Sequence, residues 1–197
     1  MAVNNCMETF VLGNGKSRLG IDLHKLQTKG TVYGCNALYR DFAPDVLIST
    51  DPGISNEIQD SGYQDTHIHY TRRPNEGSNS KEIESKIRGW SSGPICCWYG
   101  SVLNNAEHVY LLGFDLSSLD KKINNVYAGT DNYKDSNAKV TYYGNWIKQL
   151  QRVMQEFPGK MYTRVITDYT ITPKEWNELP NYKDMHITDF SNWLNNT

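Results

Sequence analysis

Long apolar runs are missing from this chain of 197 residues. No stretch approaches the ~18 consecutive apolar residues of a membrane-crossing helix, and the first residues lack the basic, apolar and small-residue order of a secretory signal. An excess of one charge is missing too. The 20 basic residues face 22 acidic ones, a net charge of −2, with no basic stripe to follow a nucleic-acid backbone. Cysteine is scarce: Cys6, Cys35, Cys96 and Cys97 show neither zinc spacing nor a disulfide framework, and Cys96-Cys97 reads as two small helix residues. Repeats and low-complexity tracts are absent. A membrane span, a nucleic-acid platform, a disulfide scaffold and a solenoid are therefore excluded as expectations. What is left is one cytoplasmic domain over 1–197, long enough for a single α/β core.

Two phosphate-binding signatures are also incomplete. Gly15-Lys16-Ser17 ends like a Walker A loop, but the glycine that motif needs five residues earlier is Phe10. Gly13-Asn14-Gly15 opens like a dinucleotide fingerprint, yet Arg18 fills the third glycine slot and the second strand runs into Asn36 instead of an acidic residue. No Asp-X-Asp dyad offers paired carboxylates for a divalent ion on a diphosphate. His67-X-His69 has no third ligand close by in sequence, so no metal site is expected.

What is present is an alternation of strands and helices. Thr9–Leu12, Thr31–Cys35, Val46–Thr50, Thr66–Thr71, His108–Leu112 and Met161–Ile166 read as strands. Helices are expected from Ser17 to Leu26, from Pro52 through Ile58 with proline in the first turn, from Ser91-Ser92 to Leu103, and over the amphipathic Gly144–Phe157. Residues 72–90 read as a surface loop. Residues 114–139 form a polar segment of a length that compact domains keep for lids and binding loops. The tail adds a turn at Thr172-Pro173 and an aromatic segment from Phe190 to Leu194. The pattern predicts a single Rossmann-like α/β domain: a mainly parallel sheet, helices on both faces, a long lid loop, and ligands at the carboxyl ends of the strands.

Polar and small residues gather at those ends. Gly13-Asn14-Gly15-Lys16-Ser17 closes the first strand, where glycines let backbone N–H groups approach a phosphate and a helix start adds partial positive charge; a plain tight turn is the alternative. Asn36 closes the second strand, where a ribose or base is held in doubly wound sheets. Asp51 follows the third, Ser91-Ser92-Gly93 opens a helix, and Asp115 follows the strand that ends at Leu112. For Asp115 a simple loop cap is the competing reading. Together they suggest a nucleotide pocket.

This set, in this order, resembles the bacterial sialyltransferases of glycosyltransferase family 42, and also the small Rossmann-like group that includes the archaeal hydroxymethyldihydropterin pyrophosphokinase-like proteins. The sialyltransferases carry Gly-Asn-Gly-Pro-Ser, Cys-Asn-X-Phe-Tyr, a helix-opening Ser-Gly and Tyr-Leu-X-Gly-Ile-Asp-Phe. The counterparts here are Gly13–Ser17 with Lys16 in the proline position, Cys35-Asn36-Ala37-Leu38-Tyr39, Ser91-Ser92-Gly93, and Tyr110-Leu111-Leu112-Gly113-Phe114-Asp115. The resemblance spans roughly residues 8–165 and lies in these motifs rather than in continuous sequence. The chain also has the character of small bacteriophage proteins, which would put it in a host cytoplasm.

The resemblance implies a cytidine nucleotide-sugar as substrate and transfer of its sugar without a metal or other cofactor. Asn14 and the amides of Gly15 to Ser17 would meet phosphate, Asn36 a ribose or sugar, Ser92 and Gly93 the other end of the nucleotide, and Asp115 ribose hydroxyls. Tyr127 or Tyr133 would donate to the leaving phosphate. The family's general base is a histidine just before the helix that follows the lid, and here that segment reads Thr141-Tyr142-Tyr143-Gly144-Asn145. A phenol titrates near pH ~10, so Tyr143 is a base only if strongly perturbed; Asp51 or His186 are the substitutes the fold would have to recruit. A Mg²⁺-dependent phosphotransferase and a nucleotide-sequestering module are the alternatives. The acceptor and the oligomeric state, a homo-oligomer included, stay open.

Overall fold

The computed structural model describes residues 8–116, 122–139 and 142–196. Cys6, Thr141 and the lid positions 117–121 lie outside them. The chain begins in the middle of its sheet. β1 (Glu8–Leu12) pairs in parallel with β2 (Gly30–Cys35) on one side and with β6 (His108–Leu112) on the other. From β2 the sheet continues through β3 (Val46–Ser49), β4 (Ile68–Thr71) and the two-residue β5 (Lys81–Glu82); from β6 it continues through β7 (Met161–Ile166) and β8 (Tyr182–His186). Every pairing between these strands is parallel. The predicted α/β class with a parallel sheet is what the chain adopts. Consecutive connections diverge at β1, so the carboxyl ends of β1 and β6 open a crevice.

Helices cover both faces, which is why the central strands read as unbroken apolar runs. Phe10, Leu12, Val32 and Leu47 face α1 (Leu23–Lys29), α2 (Pro52–Asp60) and α5 (Ile187–Asn196) through Leu26, Ile54, Ile58, Phe190 and Leu194. Val11, Tyr33 and Ile48 face α3 (Ser92–Val102) and α4 (Gly144–Glu156) through Ile95, Cys96, Leu150 and Val153. Each fully buried Leu, Ile or Phe contributes about 1.5–3 kcal/mol. Cys35, Cys96 and Cys97 are free thiols within this packing.

Three local expectations change. The helix expected from Ser17 to Leu26 is split: Lys16–Arg18 make one 3₁₀ turn, Gly20 takes a left-handed φ of 87°, and Asp22 then caps α1 by accepting from the backbone N–H groups of His24 and Lys25. The loop at 72–90 contributes β5. The tail contributes β8, whose polar Tyr-Lys-Asp-Met-His sequence hides a strand because β8 is a partly exposed edge.

Candidate functional site

A cavity of about 550 Å³ sits at the carboxyl ends of β1, β2, β3 and β6. Gly13, Asn14 and Gly15 line it from β1, Asn36 from β2, Asp51 from β3, and Asp115 from β6. Ser91, Ser92 and Gly93 line it from the start of α3. Five separate chain segments, all selected from sequence, thus converge on one crevice. Lys16 and Ser17 do not line it.

The glycine turn is used differently from the sequence expectation. The Gly13 amide donates to the Leu112 carbonyl at 2.8 Å and the Gly15 amide to the Gly113 carbonyl at 2.9 Å. The Lys16 amide donates to Asn124 Oδ1 at 2.9 Å and the Ser17 amide to Asp115 Oδ2 at 3.0 Å. The amides of Gly15 to Ser17, expected to meet phosphate, are therefore already engaged within the protein. The glycines serve a close backbone approach instead. A Cβ on Gly15 would lie 2.6 Å from the Gly113 carbonyl oxygen and 2.7 Å from the Asp115 carboxyl carbon, and one on Gly13 would lie 2.5 Å from that same carbonyl oxygen.

Among the described residues, two side-chain acceptors that belong to the cavity lining have no partner. Asn14 Oδ1 and Asp115 Oδ1 are both buried and unpaired, and the Asp115 residue is only 5% exposed. Buried acceptors are ordinarily satisfied, and both orphans belong to residues of the cavity lining. The lining at the end of β2 and the start of α3 carries a hydroxyl relay. Ser92 Oγ donates to Asn36 Oδ1 at 2.9 Å, which leaves Thr50 Oγ1 as donor to Ser92 Oγ at 2.7 Å. Arg72 also lines the cavity, its guanidinium held by the carbonyls of Trp90 at 2.6 Å, Arg88 at 2.7 Å and Thr50 at 3.4 Å. Among the described residues the non-glycine positions with left-handed backbone are Asn36 (φ 55°), Leu116 (φ 62°) and Asn132 (φ 66°), and all of them line this cavity. Such conformations cost about 1–3 kcal/mol each and collect at functional sites.

The tyrosines separate. Tyr133 lines the cavity, and its phenolic oxygen accepts from Asn14 Nδ2 at 3.4 Å and from the Ala37 amide at 3.2 Å. Neither contact uses its own proton, which remains to be donated. Burial pushes the Tyr133 pKa up, so the phenol stays protonated. Tyr127 is a core residue, away from the cavity. Its oxygen accepts from Arg18 at 3.0 Å, and burial together with the nearby Asp41 carboxylate raises its pKa. Tyr143, 37% exposed, precedes α4 and does not line the cavity either; Trp146, one turn on, does. Of the three tyrosines singled out from sequence, Tyr133 alone is at the site.

The described part of the lid is fastened to the body. Val126 donates its amide to the Asn14 carbonyl at 2.8 Å, Asn132 donates to Glu57 at 2.7 Å, and Arg40 donates to Thr130 Oγ1 at 2.9 Å. The Tyr127 and Tyr133 rings, with centroids 5.8 Å apart, anchor it further on the side of the core that holds Phe10 and Leu12. From this loop Asn124, Asn125, Asn132, Tyr133 and Lys134 line the cavity.

Among the described residues no histidine lines the cavity. His186 lies at the end of β8, 3.3 Å from the Asp168 carboxylate, while Asp51 is on the cavity wall. His69 is fully buried between Ser49 Oγ at 2.8 Å and Ser80 Oγ at 2.9 Å, and burial lowers its pKa to about 4, so it packs as a neutral ring. No cluster of three or more potential metal-ligating side chains occurs among the described residues. Thr50, Arg72 and Trp146 escaped the sequence reading. Arg72 directly follows β4, and that strand-end position was the one signal pointing to it. No family model, curated protein or solved structure matches the chain.

Proposed function

We propose that the protein is a glycosyltransferase-like enzyme that binds a nucleotide-sugar, of the cytidine monophosphate type, at the carboxyl ends of β1, β2, β3 and β6. One observation carries the reading: a cavity at the point where the sheet order reverses, lined by unpaired buried acceptors and by left-handed backbone. In the reaction the bond between the sugar's anomeric carbon and the phosphate oxygen breaks. The acceptor hydroxyl oxygen bonds to that carbon and gives up its proton.

Tyr133 is the group assigned to the leaving phosphate, because its phenolic proton is uncommitted. A fixed phenol stabilises charge as it develops, the role a divalent ion plays in metal-dependent transferases. Asp51 is the carboxylate assigned to the acceptor's proton, since it lines the cavity and no described histidine does. Transfer would be followed as release of cytidine monophosphate from its sugar conjugate. Tyr133→Phe lowers turnover by about 10²–10³ with binding little changed, as for a donor used mainly in the transition state, whereas Tyr127→Phe leaves turnover near that of wild type. Equal turnover in wild type and Tyr133→Phe contradicts the assignment.

A phosphotransferase of the pterin pyrophosphokinase-like kind is the second reading. Asp51 and Asp115 both line the cavity and would hold Mg²⁺ on a diphosphate. It requires that Mg²⁺ strengthen nucleotide binding, which the sugar-transfer reading does not.

A further inference from the structure

The cavity is polarised, and its polarity orients the ligand. Accepting on the proposed reading that a nucleotide binds here, we infer that the ligand's phosphate lies against α3 and the ends of β2 and β3, and its hydroxyl-bearing ribose against Asn14 and Asp115. This reverses the placement that the Gly13-Asn14-Gly15 turn suggests, in which phosphate sits at the end of β1.

Donors are gathered on the first side, and Asp51, the carboxylate at the end of β3, is exposed there to water that screens its charge. Asn36 Oδ1 is occupied by the Ser92 hydroxyl, so the Asn36 amide presents its NH₂ group to the cavity. Arg72 adds a fixed positive charge: three carbonyls hold its guanidinium, and an arginine has five N–H donors to offer. The 11-residue α3 opens there after Ser91, which makes no side-chain cap, so the amides of Ser92 and Gly93 meet no competing acceptor from that residue, and Pro94 has no amide N–H to satisfy.

Acceptors are gathered on the other side. Asp115 is a carboxylate at 5% exposure with Oδ1 unpaired, and Asn14 directs its NH₂ group to Tyr133, which turns its unpaired Oδ1 away from that bond. A phosphate beside Asp115 would set two negative charges together where water screens them poorly. The turn's own amides, from Gly15 to Ser17, are spent on Gly113, Asn124 and Asp115. Hydroxyl groups, which donate, fit that end; phosphate, which accepts, does not. Tyr133 hydrogen-bonds both walls, through Asn14 and the Ala37 amide, so its phenol stands between ribose and phosphate.

The test is calorimetric titration of the full chain with inorganic pyrophosphate, with the four common ribonucleosides, and with their monophosphates. Asn36→Gly removes the amide while glycine keeps the left-handed backbone, and Arg72→Lys removes the fork-shaped donor; near-ultraviolet circular dichroism checks the fold of each. Both variants weaken pyrophosphate and monophosphate binding about tenfold or more and leave nucleoside binding within about twofold. Asp115→Asn does the opposite, weakening the nucleoside about tenfold and leaving pyrophosphate within about twofold. Tighter pyrophosphate binding by Asp115→Asn, with Asn36→Gly unchanged, overturns the orientation while the nucleotide reading stands. Pyrophosphate binding with the expected variant pattern, but no nucleoside or monophosphate bound, overturns the nucleotide reading and upholds the anion placement. No binding of any probe by wild type overturns both.

Discussion

Two buried polar clusters flank β6, and they are finished to different degrees. On the β7–β8 side, Arg164 is fully buried, yet its guanidinium meets Asp184 at 3.0 Å, Thr172 Oγ1 at 2.9 Å and the Trp176 ring at 5.3 Å. Asp184 in turn accepts from Thr172 and Tyr182. Burial pushes the Asp184 pKa up, and hydrogen bonds from Arg164, Thr172 and Tyr182 outweigh it and hold the group below the usual carboxylate range. On the β1 side, Asp115 is also buried, but among the described residues it accepts from the Ser17 amide alone, and its second oxygen, like Asn14 Oδ1, is unpaired. A buried charge with every partner supplied by the chain is scaffold. A buried acceptor that the chain leaves unpaired, in a residue of the cavity lining, is what the proposed ligand site rests on.

Substitution separates the two clusters most sharply. Arg164→Met leaves the half-buried Asp184 carboxylate with Thr172 and Tyr182 but without its charge partner, and costs about 3–4 kcal/mol of stability in a denaturant titration. Asp115→Asn keeps an acceptor for the Ser17 amide and removes an unpaired charge, so its stability stays within about 1 kcal/mol of wild type. Equal losses would erase the distinction. A pH titration sharpens it with a slightly smaller effect. His69, paired on both nitrogens like the Arg164 cluster, has a folded pKa near 4 against about 6.5 unfolded, so the unfolded chain binds the extra proton first. Its contribution is complete above pH ~6.5 and is lost as pH falls towards 4, about 3 kcal/mol in all. His69→Gln flattens that window; an unchanged slope means His69 is not the group responsible.

The scaffold was more legible in the sequence than the site. β1, β2, β3, β6 and β7 were readable because both of their faces are covered, so apolar side chains run without interruption. β8 was not, since its register against β7 places Lys183 and Asp184 within it, and the reason for Asp184 is Arg164, 20 residues away. Asn14, Asn36, Asp51, Ser92, Gly93 and Asp115 were found because a parallel sheet fixes where strand ends gather. Arg72 and Trp146 reach the cavity through tertiary packing that no local pattern records. Tyr127 and Tyr133 lie in one polar loop without periodicity, so nothing in their spacing told the core residue from the cavity residue. The occupancy of the Gly15–Ser17 amides was equally invisible, because their partners Gly113, Asn124 and Asp115 come from about a hundred residues downstream.

Thermal unfolding is the plainest test of the proposal that the unfinished cluster is a nucleotide site. The melting temperature of the intact chain is measured against a panel of nucleotides and nucleotide-sugars, each with and without Mg²⁺. A ligand at a hundred times its Kd adds about 2.7 kcal/mol, or several degrees for a domain of this size. Such a rise is expected for one nucleotide or its sugar conjugate, of the cytidine type, equal in size with and without Mg²⁺ and diminished in Asn36→Gly. No rise for any nucleotide or nucleotide-sugar at millimolar concentration contradicts it.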